Sequence, residues 1–478
     1  MQSIEPALTL GRADAHSASA TALSDRATRR LSRPLSAAVM LVGAVVALAF
    51  AVCLVPTQQA HADFYDQTQF MLGESYYNQD AATGTVYVAQ GDGQSFDIDL
   101  DAGDSWFAGE PAVTSSNPAV ATVSAGFWRY SGEFHLTITG IAPGASTISY
   151  SVPLADGTAV TGMLTARVFT IDLGKRSFTG FNYVLYKGLT VKPSIKGLPK
   201  GKWTSSNTAV AKVTSKGKIS YKGLGACEVR GTFGPIEVTI PVDCTYKKAY
   251  QAVKNGFADV NAPITYSQAK RMKKSYRDCS SFVSRCYWDT SLKRKLFAIG
   301  GNDGKKWALT AADQAKWLNG QKKCVAKKGV APSKLLAGDT VHTQTNYAGV
   351  NNRYRHIDHV TLYVGAGMVL STGGGPKHDI YLRPYRVDPK GTYVKFIGRP
   401  CAEPALNLTK ATLTKKKGAN HSVTLKMQWV KGKVKWSSSN KKVATVNSKG
   451  KVVAKKKGTA KISAKVGGKT YRCKVTVK

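Results

Sequence analysis

Three stretches of this chain repeat one pattern, and that pattern decides most of what the chain can fold into. They are "VTSSNPAVATV" (113–123), "WTSSNTAVAKV" (203–213) and "WSSSNKKVATV" (436–446). Each reads apolar-x-Ser-Ser-Asn-x-x-Val-Ala-x-Val, and each leads to a glycine that opens an alternating run: Gly144, Gly225 and Gly458. Repeats of this kind imply one supersecondary unit used several times. Period-two alternation broken by Gly, Asn and Ser indicates antiparallel strands, so each copy is expected to be a small β-sandwich. The Ser-Ser-Asn reads as a turn, where short polar side chains bond the local backbone. From asparagine to glycine is 18 residues in the second and third copies and 27 in the first, which places an insertion around "AGFWRYSGEF".

The repeated residues resemble the group 2 bacterial immunoglobulin-like (Big) domains of surface proteins, most closely in the third copy with its "SKGKVVAKKKGTAKI". The resemblance implies modules for spacing, display or wall binding, and no chemistry. Charge separates the copies. Residues 63–174 hold thirteen acidic side chains against Arg129 and Arg167, whereas the whole chain has a net charge of +39. The positive charge therefore lies beyond residue 174. Nothing in it looks like a reader of bases, so nucleic acid is not expected as a partner. For a protein outside the cell the nearer polyanions are peptidoglycan carboxylates, anionic wall polymers and lipid headgroups; the plain alternative is a lysine-rich surface that serves solubility.

The chain begins with Arg29, Arg30 and Arg33 ahead of an uncharged apolar run from Leu35 to Val55, then Ala60-His61-Ala62. This is the order of an export signal, with cleavage expected after Ala62. The run is also long enough to span a bilayer, so an uncleaved anchor is the alternative and the one expected route to a membrane. Cys53 follows bulky Val52, which argues against a lipoprotein cysteine. Removing Cys53 with the signal leaves seven cysteines, an odd number for an exported protein. Spacing suggests pairs Cys227–Cys244, Cys401–Cys473 and Cys286–Cys324, with Cys279 left free.

Between about Thr245 and Pro400 the repeat disappears. "SQAKRMKK" (267–274) and "TAADQAKWL" (310–318) read as helices opening on Ser or Thr, and "HVTLYVG" (359–365) as a buried strand. In "RDCSSFVSRCYW" the residues Phe282, Val283, Cys286 and Tyr287 share a helical face with Cys279. Asp278 or Arg277 would precede that helix and leave Cys279 in its first turn. Free backbone N–H groups there lower a thiol's pKa and can face a developing oxyanion. Both cysteines being structural is the alternative reading of the same residues. A nucleophilic cysteine needs a base, and His359 on a strand facing the helix can supply it.

The ordered set Asp-Cys-Ser-Ser-Phe-Val, Ala-Gly-Asp and His-Val-x-x-Tyr-x-Gly closely resembles the NlpC-type cell-wall peptidases, compact papain-like enzymes that cut peptidoglycan stem peptides. The resemblance covers the insert, about a third of the chain. It implies Cys279 as nucleophile and His359 as its base. The family places a third polar residue, usually His, about 12 residues after the base, to orient the imidazole. Here that place falls at Ser371 or Thr372, with His378 and Asp379 as nearby substitutes. Asp358 is expected to be solvated on the opposite strand face, and His342 to be structural. No His-Glu-x-x-His or Cys-x-x-Cys occurs, so neither a metal nor another cofactor is expected.

The expected architecture is multidomain: small antiparallel Ig-like β-sandwiches plus an α+β papain-like peptidase domain. Residues 1–62 form the signal, 63–172 an acidic Big-like module, 173–245 a Big module, 246–400 the peptidase domain and 401–478 a basic Big module. The expected function is a peptidoglycan endopeptidase held at the wall by basic modules. An amidase of the same fold, or a non-catalytic adhesive protein with a degenerate peptidase domain, are the alternatives.

Overall fold

The computed structural model describes residues 79–80, 84–97, 108–127, 134–287, 308–345, 351–373, 380–416, 418 and 420–478. The export segment 1–62 and the residues His378 and Asp379 lie outside them. Among the described residues no helix is long and apolar enough to cross a membrane.

The chain is mostly antiparallel β-sheet, built as three sandwiches and one mixed segment. In the second sandwich the strands 202–205, 225–233, 236–244 and 183–185 form one sheet, and 190–191, 219–221 and 211–213 the other. The third repeats this with 435–438, 458–466, 469–477 and 410–413 facing 422–424, 451–454 and 444–446. The first has the same plan, and its extra residues lengthen a hairpin between Ala121–Phe127 and Phe134–Gly140. Its last strand, Ala159–Asp172, runs on to pair with Ser194–Lys196 of the second sandwich.

The repeat signature has one structural meaning in all three. The first serine of the motif donates to the carbonyl of the alanine six residues on: Ser115 to Ala121 at 2.6 Å, Ser205 to Ala211 at 2.8 Å, Ser438 to Ala444 at 2.7 Å. The second serine accepts from the neighbouring strand, at Thr147, Glu228 and Lys461, each at 2.9 Å. In the second and third copies the asparagine side chain closes the turn on the N–H two residues ahead, at Ala209 and Lys442. Gly225 and Gly458 both sit at φ +139°, and a Cβ there would meet Val210 or Val443 of the same motif at 2.9 and 3.0 Å. Only glycine allows that turn to lie against that valine.

The mixed segment opens with α1 (Lys247–Val260), which periodicity did not single out, followed by α2 (Cys279–Cys286) and α3 (Ala311–Gly320). They pack on an antiparallel sheet of β1 (Cys324–Ala326), β2 (Thr340–Thr343), β3 (His359–Gly365), β4 (Met368–Thr372), β5 (Ile380–Pro384) and β6 (Val394–Gly398). The spatial order is β1-β6-β2-β3-β4-β5. Thr310 caps α3 by accepting from Asp313 N. The stretch 267–274, expected as a helix, is a run of turns instead. Ser267 accepts from Lys270 N, and Lys270, Lys273 and Lys274 would stand as like charges on one face of a helix. The turns let the chain reverse so that Thr265–Tyr266 and Tyr276–Arg277 pair in parallel.

The second sandwich and the mixed segment share a core. Phe181 and Val184 lie in one cluster with Val283, Leu362 and Leu370, and Phe178 stacks on Phe257 at 5.6 Å. At the seam, Asp243 of the sandwich is buried and accepts from Ala366 N at 2.9 Å, at the tip of the β3–β4 hairpin. Gly365, at φ +99°, leaves room there that any side chain would fill. The amide of Asn182 approaches the carboxylate without completing a hydrogen bond, and Asp243 Oδ1 has no partner. Burial pushes the Asp243 carboxyl up to about 6, against the smaller opposing effects of the Ala366 N–H and the nearby Asn182 amide. Tyr363, Cys227 and Cys244 nearby are themselves shifted upward by burial and stay neutral over this range.

Because the folded carboxyl holds its proton more tightly than the unfolded one, this group favours folding most in acid. The advantage is lost as pH rises from about 4 to 6. Asp243→Asn keeps an oxygen for Ala366 N–H and removes the charge. We predict that urea unfolding at pH 7.5 finds the variant more stable by about 1–3 kcal/mol, falling to about a third of that at pH 4.5. A variant destabilised equally at both pH values would contradict the burial argument.

Candidate active site

Cys279 is the first residue of α2, and the local sequence explains why. Asp278 adopts extended backbone as the N-cap, and its Oδ1 accepts from Ser281 N at 2.7 Å. Ser281 Oγ in turn accepts from Asp278 N at 2.9 Å, a reciprocal capping box. The other carboxylate oxygen stands 3.1 Å from Arg271 Nε, and Arg271 Nη2 reaches Ser280 Oγ at 3.1 Å. Arg277 is held by both oxygens of Asp259, at 2.8 and 3.0 Å. The segment before the helix is thus pinned on both sides of Asp278. Phe282, Val283 and Cys286 bury the inner face of α2 completely or nearly so. Gln314 of α3 locks the outer turns, donating to Ser280 O at 2.8 Å and Ser284 Oγ at 3.2 Å.

The Cys279 thiol is 8% exposed and points at the backbone around His359. Its sulfur donates to Asp358 O at 4.0 Å, and the Val360 and Ser280 N–H groups face it. His359 opens β3, and its Nε2 lies 3.1 Å from Ser371 Oγ on β4. Leu362 stands opposite Leu370, so Ser371 reaches His359 along the diagonal between neighbouring strands. Ser371 is buried at 1% exposure. The structure therefore ties His359 to Ser371 and sets Cys279 against the backbone on either side of His359. Thr372 has no hydrogen-bond partner for its hydroxyl. His378 is outside the described residues.

The electrostatics differ from the expectation. A helix N-terminus lowers a thiol's pKa, but burial and the adjacent Asp278 carboxylate push Cys279 up to about 12, against the Val360, Arg271 and Ser280 contributions. Desolvation, helped by Arg383, holds His359 down to about 4. Both shifts favour the neutral form of each group. Asp358 is half-buried, and its Oδ1 accepts from Thr345 N at 2.7 Å and Thr345 Oγ1 at 2.9 Å, so it braces the loop after β2. His342 is fully buried, bonded at 2.9 Å to both Ala311 O and Thr340 Oγ1, and held down to about 3 by burial. It is a strut between β2 and α3.

The cysteine pairing expected from spacing is not present. All seven described cysteines carry free thiols. Cys401 packs in the core of the mixed segment and Cys473 in that of the third sandwich, so they cannot meet. Cys227 faces Val242 and Cys244 faces Gly225, two rows apart on neighbouring strands. Cys286 lies beside Asp259 and Arg277, Cys324 beside Lys327 and Arg355. An odd count is thus no argument for Cys279. Among the described residues there is no group of three or more His, Cys, Asp or Glu side chains able to hold a metal. Arg271 and Gln314 were not found from sequence; the capping signal Asp-x-x-Ser at 278–281 was there to be read, whereas nothing local marks Gln314.

Comparison with known families matches residues 404–477 to the bacterial Ig-like domain (group 2). Comparison with curated proteins gives no match. Among solved structures, domains 5–6 of the S-layer protein SbsC are similar at 20% identity, over 34% of this chain and 92% of that one, with a TM-score of 0.14. The D00–D0 domain of intimin is similar at 8% identity, over 32% and 91%, with a TM-score of 0.18. Titin fragment I67–I69 is similar at 7% identity, over 82% and 95%, with a TM-score of 0.18.

A neutral thiol with a pKa of about 12 reacts only through its small thiolate fraction. Iodoacetamide labelling of Cys279, followed by peptide mapping, should accelerate about tenfold per pH unit from pH 7 to 9. A rate already on a plateau between pH 5 and 8 would mean a preformed thiolate–imidazolium pair and overturn this electrostatic reading.

Proposed function

We propose that the chain is an exported thiol hydrolase acting on peptide amide bonds of the bacterial cell wall, with its Ig-like modules keeping it at the surface. One observation carries the reading: a cysteine in the first turn of a capped helix is seated against the strand that begins with His359, whose ring is tied to Ser371. The resemblance to NlpC-type peptidases supplies the substrate class, peptidoglycan stem peptides, and the bond, D-γ-glutamyl to diamino acid.

In this reading His359 is the general base. With Nε2–H donating to Ser371 Oγ, Nδ1 keeps its lone pair for the thiol proton. Cys279 Sγ bonds to the amide carbon as its proton passes to His359. The first-turn N–H groups of Cys279 and Ser280 face the oxyanion, that of Ser281 being taken by the Asp278 cap. The C–N bond then breaks as His359 returns the proton to the leaving amine. Water, deprotonated by His359, attacks the thioester, and the carboxylic acid leaves as the thiol is restored. His359, held down to about 4, is unprotonated at neutral pH and free to accept a proton, but a base so far below the operating pH is a weak one.

The alternative of a non-catalytic adhesive or wall-binding protein draws on Ser371 and the buried thiol. A neutral hydroxyl stabilises an imidazolium less than a carboxylate does, and burial opposes the thiolate. An amidase would use the same three residues on a different bond.

Purified wall treated with residues 63–478 should release new muropeptides. Cys279→Ala should remove this release by about 1000-fold or more, and His359→Ala nearly as much, with both proteins folded. Ser371→Ala should slow it about tenfold, the worth of one neutral hydrogen bond. A product profile unchanged in Cys279→Ala would exclude the hydrolase and leave the adhesive reading.

A further inference from the structure

The three sandwiches repeat one sheet, and its outward face differs in charge from copy to copy. In the third, the sheet comprises β7 (Lys410–Leu413), β8 (Lys435–Ser438), β9 (Gly458–Val466) and β10 (Lys469–Val477) in the order β7-β10-β9-β8. Along β9 the inward residues Ala460, Ile462, Ala464 and Val466 are buried, while Lys461 and Lys465 are exposed. On β10, Cys473, Val475 and Val477 are buried, while Arg472 and Lys474 are exposed. Lys410 stands directly beside Lys474, and Lys474 directly beside Lys461. One row of three ammonium groups therefore crosses three strands. Lys435 stands beside Lys465 in a parallel row, with Arg472 between the two.

Like charges placed directly opposite one another destabilise a sheet. This module has no acid with which to relieve them: residues 404–477 contain no Asp or Glu. None of the six cations makes an ion pair among the described residues. The second sandwich shows what the same face looks like when it balances its own charge. Counting from the motif asparagines, Lys461, Lys465 and Lys474 fall where Glu228, Thr232 and Pro241 stand. There Arg230 is paired with Glu228 at 3.0 Å and Glu237 at 3.3 Å. In the first sandwich the corresponding strand offers Thr147, Ser149 and Ser151. The strand equivalent to β9 is thus uncharged in the first copy, while the face is partly self-paired in the second and wholly cationic in the third.

We propose that the outward face of β7-β10-β9-β8 is the docking surface for a linear phosphodiester polymer without bases, of the polyol-phosphate kind. The inference rests on the wall-associated reading only in naming where such a polymer would be met. Strand spacing puts cations about 5 Å apart across the sheet and about 7 Å apart along it, a grid for an extended chain of single charges. Five of the six are lysines, point charges that meet a tetrahedral phosphate from any direction, whereas planar carboxylates favour arginine forks. Ser437 and Ser463 place hydroxyl donors between the rows, and Thr412 and Thr476 place two more along their edge. No aromatic side chain stands among these outward residues, so there is nothing on which a base would stack.

The test uses residues 63–478 and long-chain inorganic polyphosphate as the probe. Lys461→Thr/Lys465→Thr/Lys474→Thr should weaken binding at least thirtyfold and reduce the salt slope by about 2. The charge-matched variant Lys426→Thr/Lys449→Thr/Lys451→Thr, on the opposite sheet and its turns, should lose less than threefold. Equal losses in both variants would mean that net charge alone matters and would overturn the proposal. So would poly-glutamate bound as tightly as polyphosphate, or single-stranded DNA bound more tightly. Thermal unfolding of the face variant should be no lower than that of the parent, since it removes crowded like charges. Cleavage of a small soluble stem peptide, measured alongside, should be unchanged by either variant. Cleavage missing from parent and variants alike would sink the hydrolase reading while leaving the docking face standing.

Discussion

Where Cys279 sits depends on one carboxylate. Asp278 caps α2, exchanges hydrogen bonds with Ser281 and stands against Arg271, which itself reaches Ser280. The pair is nearly buried, with side chains 11% and 8% exposed. Removing one partner from a buried pair costs about 3–5 kcal/mol, more than the roughly 1 kcal/mol of an N-cap alone. The helix start is therefore held more firmly than its eight residues would hold it. That firmness is what lets a thiol rest against the backbone of a neighbouring strand.

The same carboxylate also works against thiolate formation. It adds to the burial that raises the thiol, while Arg383 adds to the burial that lowers His359. Both shifts favour neutral forms, so the thiol keeps its proton and the imidazole stays unprotonated. Ser371 can orient the imidazole but cannot neutralise it once charged. Such a site relies on bringing a substrate carbonyl to the first-turn N–H groups at the moment of transfer. The seam between the second sandwich and the mixed segment matters here too, because the β3–β4 hairpin that carries His359 and Ser371 is fixed at its tip by Asp243.

Much of this was legible in the sequence because it was local or repeated. The Ser-Ser-Asn turns, the glycine after them, the Thr310 cap and the apolar run 359–365 each bond within a few residues or alternate with a strand's period. The match of residues 404–477 to the bacterial Ig-like domain agrees with the repeat reading of the third copy. What was not legible came from distance and burial. Cysteine spacing suggested bridges, but Cys401 and Cys473 belong to different cores. The basic run 267–274 looked helical by its cap, yet charge crowding and the need to return to Tyr276 make it a set of turns. The thiol pKa could not be read from a helix position alone, because desolvation outweighs the backbone N–H groups.

Covalent trapping asks most directly whether Cys279 and His359 act as one unit on an acyl group. A stem-peptide analogue with an electrophilic aldehyde or vinyl sulfone at the scissile position would be incubated with residues 63–478, and the adduct located by peptide mapping. One modified residue, Cys279, is expected although six other described thiols are free, with labelling at least a hundredfold slower in His359→Ala. Adducts spread over several cysteines, or Cys279 labelled as fast without His359, would contradict it.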